Sequence, residues 1–515
     1  MGSPRLKAAL LSAGRTLRRP PRWLILALLL AAIELSYVFI ITAGTFTNWP
    51  TWNTNYDVQA EGFRAGHLHL SVEPPPELLA QRNPFDYAHQ RLWFWDASLH
   101  DGHYYLYWGP LPALGLAAVK AVLRINVPVG DQYPLFVFYT IYLVAGAVLI
   151  DRMARRLFDD LPLWLVVVGI LVFAYANPTP FMIGTPGIYE AAIAAGQAFL
   201  VAGLLFAFDA VWADGDGPRA RRALLLAGVA WGLGLGCRVS VAPTVALILL
   251  AAVFLIRRTA RGVELWKARF RDATVGAAPL AVVLIGLLAY NKARFGSWFD
   301  FGISSQMSTM PMRHSFAYVG INLFEYLFRP LFGSCRFPFL TILSTQRGFP
   351  SWLTIPKDYW TPEPLAGMLV ATPWAWLTPV AAIFAGRLAI RAWRGRRGGF
   401  FEDPRLRVTL WCAISFVLLA TVTGLPTIRI FIATMRYLAD VMSGVLLFCI
   451  WGAWSLHRQF SGRAWSRRLV GAILVGLAGL TVIVGLLLGL QGYNAMFEGH
   501  NPALFAHWVR LFSRC

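Results

Sequence analysis

Seven acids fall between Thr54 and Trp108: Asp57, Glu61, Glu73, Glu77, Asp86, Asp96 and Asp101. They follow an apolar run long enough to cross a bilayer, and such a span could not hold them. Most read as the solvated face of a loop. Asp57 and Glu61 differ, because TNYD just past the run offers a helix N-cap at Thr54 or Asn55, then two carboxylates one turn apart on one face. A carboxylate held in that way can take a proton from a hydroxyl. Further along, Glu190 opens an apolar run in TPGIYEAAIAAGQAF, Arg238 ends another in GLGLGCRVSVAP, Lys292 and Arg294 follow one in YNKARFGSWFDFG, and Arg436 precedes Tyr437 in TMRYLAD. A guanidinium fork matches phosphate oxygens and stays charged, so these cations could hold a phosphate. For Arg238 and Arg436 the plainer reading is snorkelling or a pair with Asp440 or a lipid headgroup.

What must position these residues is a membrane frame. The chain has 515 residues, 57% of them hydrophobic and 14% charged, with a mean hydropathy of +0.55. That is too many long apolar runs for a soluble core and too few charges to cover one. The fold class is an all-α polytopic membrane protein. The formal charge of +20 does not point to nucleic acid, because the basic residues sit in short clusters between apolar runs, as the positive-inside rule expects. Cys237, Cys335, Cys412, Cys449 and Cys515 show no metal-ligand spacing and read as small packing residues without a disulfide framework. The glycines of GLGLG lie within an apolar run and read as close helix packing, with no nucleotide-binding context.

Charge alternation gives the topology. Arg5, Lys7, Arg15, Arg18, Arg19 and Arg22 precede a first span over about Trp23 to Thr45, retained and entering from the cytoplasm. The loop at 47–133 then lies outside. Its last apolar run, Tyr104 to Leu123, is broken by Gly109, Pro110 and Pro112. It is expected to lie as a helix along the outer face, so that Arg152, Arg155 and Arg156 after the next run stay inside. Spans follow at Pro134 to Ile150, Leu163 to Ala176, Ile188 to Trp212, Ala223 to Gly236, Val241 to Ile256 and Val275 to Tyr290. A second large external subdomain at 291–365 precedes spans at Ala366 to Ala385, Val408 to Gly424, Tyr437 to Leu456 and Leu469 to Gln491. The expectation is about eleven transmembrane helices in one integral domain, N-terminus cytoplasmic and C-terminus external, in a cell inner membrane. The candidate acids and cations gather at the external face, where a charge near hydrocarbon needs a partner or a polar cavity.

The arrangement resembles the GT-C superfamily of membrane glycosyltransferases, especially the bacterial protein mannosyltransferase-like and aminoarabinose transferase-like branch. The matching features are NYD at Asp57 soon after the first span, a juxtamembrane helix after it, YE at Glu190 in the second external loop, and RY at Arg436 and Tyr437 near a late span. The phrases DGHYYLYWGPLPAL, YEAAI and ARFGSWFDFG are similar to those of bacterial members of this group. The chain carries a lone NYD where the protein mannosyltransferases have a paired DE. The resemblance implies an inverting transferase that moves a sugar from a polyprenyl-phosphate donor to a glycan, glycolipid or protein acceptor at the external face. Asp57 would be the base with Glu61 and Glu190 in support, and Arg238, Arg436, Tyr437, Lys292 and Arg294 would bind the donor phosphate. It also implies that acids of the first two external loops, here Asp57 and Glu190, meet at the acceptor or at a divalent metal. The competing class is a transporter or lipid-linked sugar flippase, which would show an internal repeat and ionisable residues at the bilayer midplane; neither is evident. His67, His69, His100 and His103 read as surface or interface histidines. Trp93, Trp95, Tyr104, Tyr105 and Tyr107 read as an interfacial belt that could also stack on sugar faces.

Overall fold

The computed structural model describes residues 20–213, 215–308, 312–342, 349–360, 363–395 and 400–513. Arg5, Lys7, Arg15, Arg18, Arg19, Arg396, Arg397 and Cys515 lie outside the described residues.

The chain folds as a helical bundle with two short hairpins of strand. Helix α1 (Arg22–Ile41) is followed by α2 (Asn55–Arg64), an antiparallel hairpin of β1 (Ser98–His100) and β2 (His103–Tyr105), and α3 (Leu111–Leu123). Then come α4 (Gln132–Leu157), α5 (Leu163–Tyr175), α6 (Ile188–Trp212), α7 (Pro218–Cys237), α8 (Ala242–Leu255) and α9 (Gly262–Phe295). After the second large loop, α10 (Val319–Phe328) leads to α11 (Thr378–Arg394), α12 (Pro404–Thr421), α13 (Ala439–Gln459) and α14 (Ala464–Gln491).

Eight described helices are long and apolar enough to cross a membrane. The other three expected crossings are helices too. Two are short, α5 and α8, and α7 carries Arg219, Arg221 and Arg222 in its first turns. The 13 residues of α5 rise about 20 Å, less than the ~30 Å hydrocarbon layer. The centre of the bundle is α6 and α13: 83% and 89% of their apolar windows are buried, against 11% for α9. A helix apolar on every side and buried on every side is a core helix, whereas α9 keeps its apolar faces for lipid.

Ion pairs bring helix ends together as the charge alternation requires. Arg22 at the start of α1 meets Asp151 near the end of α4 at 2.7 Å, and Arg156 beside it meets Asp209 near the end of α6 at 2.7 Å. Those three ends share one face. The GLGLG glycines are packing glycines: a Cβ on Gly234 would touch Phe199 of α6 at 3.4 Å, and one on Gly232 would meet Pro279 of α9 at 3.1 Å. Gly109 goes further, since its Cβ would fall 2.1 Å from the carbonyl oxygen of Gly236. The loop before α3 therefore sits directly on the last turn of α7.

The stretch expected as one helix from Tyr104 divides. Strand β2 takes its first residues, and α3 begins only at Leu111, where Pro110 and Pro112 suit a first turn. Thr54 occupies the N-cap position of α2 but makes no side-chain cap. Asp131 does this from beyond α3, its two oxygens each accepting at 3.1 Å from the backbone N–H groups of Asn55 and Tyr56. Burial pushes the Asp131 carboxyl up to about 8, against the pull of those two hydrogen bonds.

Cysteine usage also departs from expectation. Cys237, Cys412 and Cys449 are free and buried, but Cys335 is disulfide-bonded. A disulfide partner is a tertiary fact that spacing alone does not give.

Candidate active site

A cavity of about 740 Å³ opens where the ends of α6, α7, α9 and α13 meet both large loops. The first loop contributes Asn53, Trp95, Asp96, Tyr107 and Trp108, and the second contributes Gln306 and Glu363. Glu190 comes from the first turn of α6, Arg238 from the end of α7, Arg294 from the last turn of α9, Arg436 and Tyr437 from the short 3-10 turn Met435–Leu438 before α13, and Asp440 from the start of α13.

Of the residues singled out from sequence, Glu190, Arg238, Arg294, Arg436 and Tyr437 line this cavity; Asp57, Glu61 and Lys292 do not. The Lys292 ammonium turns back to the carbonyl of Gly296 at 2.5 Å. Asp57 and Glu61 do share a face, as their spacing predicts, but what they face is Lys120 of α3. Its ammonium stands 2.5 Å from a carboxylate oxygen of each. The Lys120 side chain is 1% exposed and that of Asp57 7%, so this is a buried ion pair joining two juxtamembrane helices. The hydrogen bond from Lys120 holds the Glu61 carboxyl below its ordinary range. Asp57 faces this ammonium outside the cavity that Glu190 lines, so the structure does not bring Asp57 and Glu190 together there at an acceptor or a divalent metal.

The cavity carries four carboxylates and three guanidiniums, and most of them pair off. Arg238 donates to Asp440 at 2.6 Å, the pair that the plainer reading named. Arg436 makes a two-pronged contact with Glu363 at 2.7 and 3.1 Å, and lies 4.3 Å from the centroid of the Tyr189 ring. Arg294, Asp96 and Glu190 are left outside any ion pair among the described residues. The Arg294 guanidinium, 5% exposed, donates to the carbonyl of Leu106 at 2.6 Å and to Asn291 Oδ1 at 2.8 Å, both neutral, and lies 3.8 Å from the centroid of the Tyr290 ring. Its Nε is buried with no partner. Asp300 is the acid whose charge acts on it, from beyond ion-pair distance, and a desolvated cation hydrogen-bonded only to neutral groups leaves a site for an anion.

Glu190 is held by its helix. It sits at the third position of α6, its carboxylate beside the backbone N–H groups of Gly187 and Glu190 at the helix start. A Cβ at residue 187 would lie 2.8 Å from Glu190 Oε2, so glycine there makes room for the contact.

Asp96, absent from the sequence-based site, is the acid that the fold aims into the cavity. Its backbone is in the left-handed region at φ 61°, a conformation Asp tolerates better than most residues. Two hydrogen bonds fix it against the second loop: Asp96 N to Met307 O at 3.1 Å and Met307 N to Ala97 O at 2.8 Å. Gln306 Nε2 donates to Asp96 Oδ1 at 3.2 Å and reaches the Tyr107 hydroxyl at 3.1 Å, which donates to the Tyr189 hydroxyl at 3.2 Å. Burial pushes the Asp96 carboxyl above its ordinary range, partly offset by hydrogen bonds from Tyr189 and Gln306 and by the charge of Arg436. The sequence signal that could have found it is thin: one acid between Trp95 and a strand. Trp95 is 44% exposed beside it, while Trp93 and Tyr104 are core residues.

No protein-family model and no curated protein matches the chain. Among solved structures it is similar to the Archaeoglobus fulgidus oligosaccharyltransferase in its apo form, at 13% identity and a TM-score of 0.47 over 90% of this chain and 55% of that one. It is also similar to the S. cerevisiae protein O-mannosyltransferase Pmt1-Pmt2 complex bound to the sugar donor, at 11% identity and a TM-score of 0.47 over 96% of this chain and 93% of that one. The chain thus spans about half the length of the archaeal enzyme.

Proposed function

We propose that this protein is an inverting glycosyltransferase that moves a sugar from a polyprenyl-phosphate donor to an acceptor hydroxyl at the external face of the membrane. The observation that carries the reading is Arg294: a buried guanidinium on the cavity wall, hydrogen-bonded to neutral groups and outside any ion pair among the described residues, in the same cavity as the unpaired carboxylates Asp96 and Glu190. In a single displacement the acceptor oxygen bonds to the anomeric carbon as the bond from that carbon to the phosphate oxygen breaks. One such step inverts the centre.

Asp96 takes the acceptor proton. Burial keeps it more basic than an ordinary aspartate, which favours a general base. Arg294 and Arg436 stabilise the charge that grows on the departing phosphate. Glu190 orients the acceptor from the end of α6, and Trp95 and Trp108 offer ring faces to a sugar. Asp57 and Glu61 are positioning residues, acting through Lys120 and the packing of α2 on α3.

The disulfide at Cys335 supports the external side for the 291–365 segment, because disulfides persist in oxidising compartments. The donor's sugar and the acceptor, whether glycan, glycolipid or protein, belong to the proposal only as classes.

The test is donor cleavage by purified protein in lipid nanodiscs, supplied with a panel of polyprenyl-phosphate sugars and membrane extract as acceptor source. Release of polyprenyl phosphate with transfer of the sugar is expected. Arg294→Lys, which keeps charge and loses the fork, should raise the donor KM about tenfold or more. Translocation of the lipid-linked sugar without cleavage would overturn the reading in favour of a flippase.

A further inference from the structure

Outside the cavity, the loop after α2 and strand β2 of the first external segment bring His69, Glu73 and His103 together. One ligand atom from each lies within 4.8 Å of the others, and among the described residues this is the one such group of three His, Cys, Asp or Glu side chains. The geometry points to a binding site for a late first-row divalent cation of the zinc class, held by these three side chains with a position left for water.

Two independent details mark the site as built. The Nδ1 of His69 lies 2.9 Å from the carbonyl oxygen of Leu70. A carbonyl can only accept, so that nitrogen carries the hydrogen and Nε2 keeps its lone pair. This is the outer hydrogen bond that fixes the tautomer of most metal-binding histidines. The Nδ1 of His103 is shut away from solvent and makes no hydrogen bond. Glu73 Oε2 stands 3.4 Å from it, which matches the ~3.4 Å between ligand atoms in a tetrahedral site with bonds of about 2.0–2.1 Å.

The backbone explains why His69 and His103 meet across a long stretch of sequence. Leu70 N donates to Tyr104 O at 2.8 Å, so the loop after α2 runs beside β2. The rings of His69 and His103 stack with centroids 4.2 Å apart, so one ring turns about its side-chain torsions for both nitrogen lone pairs to aim at one ion. Gly62 of α2 permits this closure, because a Cβ there would fall 2.2 Å from the carbonyl oxygen of His69. Imidazole with one carboxylate suits zinc and its neighbours, whereas magnesium and calcium prefer all-oxygen sets. A bound cation would clasp the loop that follows α2 to the hairpin that separates Asp96 from Tyr107, stiffening one wall of the cavity without entering it. The inference stands whether or not the protein transfers sugar.

The test is zinc binding to the purified full-length protein, with any affinity tag removed and metal stripped by chelator. Titration with zinc chloride should show about one tightly held ion per chain, unaffected by millimolar magnesium, and should raise the unfolding temperature. His69→Gln and His103→Gln should each weaken binding about tenfold or more and abolish the thermal shift. If the histidine variants fold poorly, Glu73→Gln, whose side chain is 64% exposed, keeps the fold and should still weaken binding. No zinc retained by the stripped wild-type protein, or equal retention by it and the folded variants, overturns the site.

Discussion

Replacing Asp57 and Asp96 separately by Asn distinguishes an acid that holds the frame from one that does the chemistry. At Asp57 the loss falls on a buried pair with Lys120, both side chains nearly sealed from water. Breaking such a pair by removing one partner costs about 3–5 kcal/mol. Asp57→Asn should sit at the lower end, since Glu61 stays against the ammonium at 2.5 Å. Lys120→Met should sit at the upper end, because it strands the Asp57 carboxylate, while Glu61 keeps Arg64 at 2.8 Å. Combining the two substitutions removes both buried charges and should recover much of the loss. None of these should change turnover per folded molecule by more than a few-fold.

Asp96→Asn should do the opposite. It keeps the shape and the hydrogen bond from Gln306 in reach, so the unfolding temperature should hold while turnover falls about a hundredfold or more, the usual contribution of a positioned base. That is roughly 2.7 kcal/mol of transition-state stabilisation. The assay pairs unfolding by tryptophan fluorescence in nanodiscs with donor cleavage normalised to folded protein. A fully folded Asp57→Asn protein that has lost its turnover, beside an active Asp96→Asn protein, would refute the reasoning and restore Asp57 as the base.

Two further outcomes follow from the same geometry. Because the base must be deprotonated to act and Asp96 is raised by burial, kcat/KM should fall on acidification through an apparent pKa above the ordinary aspartate value of about 3.9. Gln306→Leu removes a hydrogen bond that lowers that pKa, so the acidic limb should move to higher pH; a limb that stays put would detach Asp96 from catalysis. Gly109→Ala sets a methyl 2.1 Å from the Gly236 carbonyl oxygen where backbone must give way, with an expected cost of about 1–3 kcal/mol and a higher donor KM as Trp108 shifts. Gly115→Ala, with open space around it, is the matched control, and equal behaviour of the two would show that the loop is not seated on α7.

The frame was legible in the sequence because its causes are local. An apolar run announces a helix that lipid or other helices must cover, and the basic clusters between runs announce which ends share a face; Arg22, Asp151, Arg156 and Asp209 meet where that reasoning puts them. Cations at the far ends of spans, Arg238, Arg294 and Arg436, were equally readable, because charge beside hydrocarbon is costly and stands out against its surroundings. Spacing also placed Asp57 and Glu61 on one face. It could not say what they face, since Lys120 approaches from a helix far along the chain. Tertiary structure decided that, and with it which acid reaches the cavity. Asp96 depends on a two-bond clamp to Met307, and Glu363 and Asp440 on the arginines they neutralise. His69 and His103 depend on the backbone contact from Leu70 to Tyr104. Each of these is a partnership between residues tens to hundreds of positions apart. Local propensity fixes which elements form, while the electrostatic state of a side chain is set by neighbours that only packing supplies.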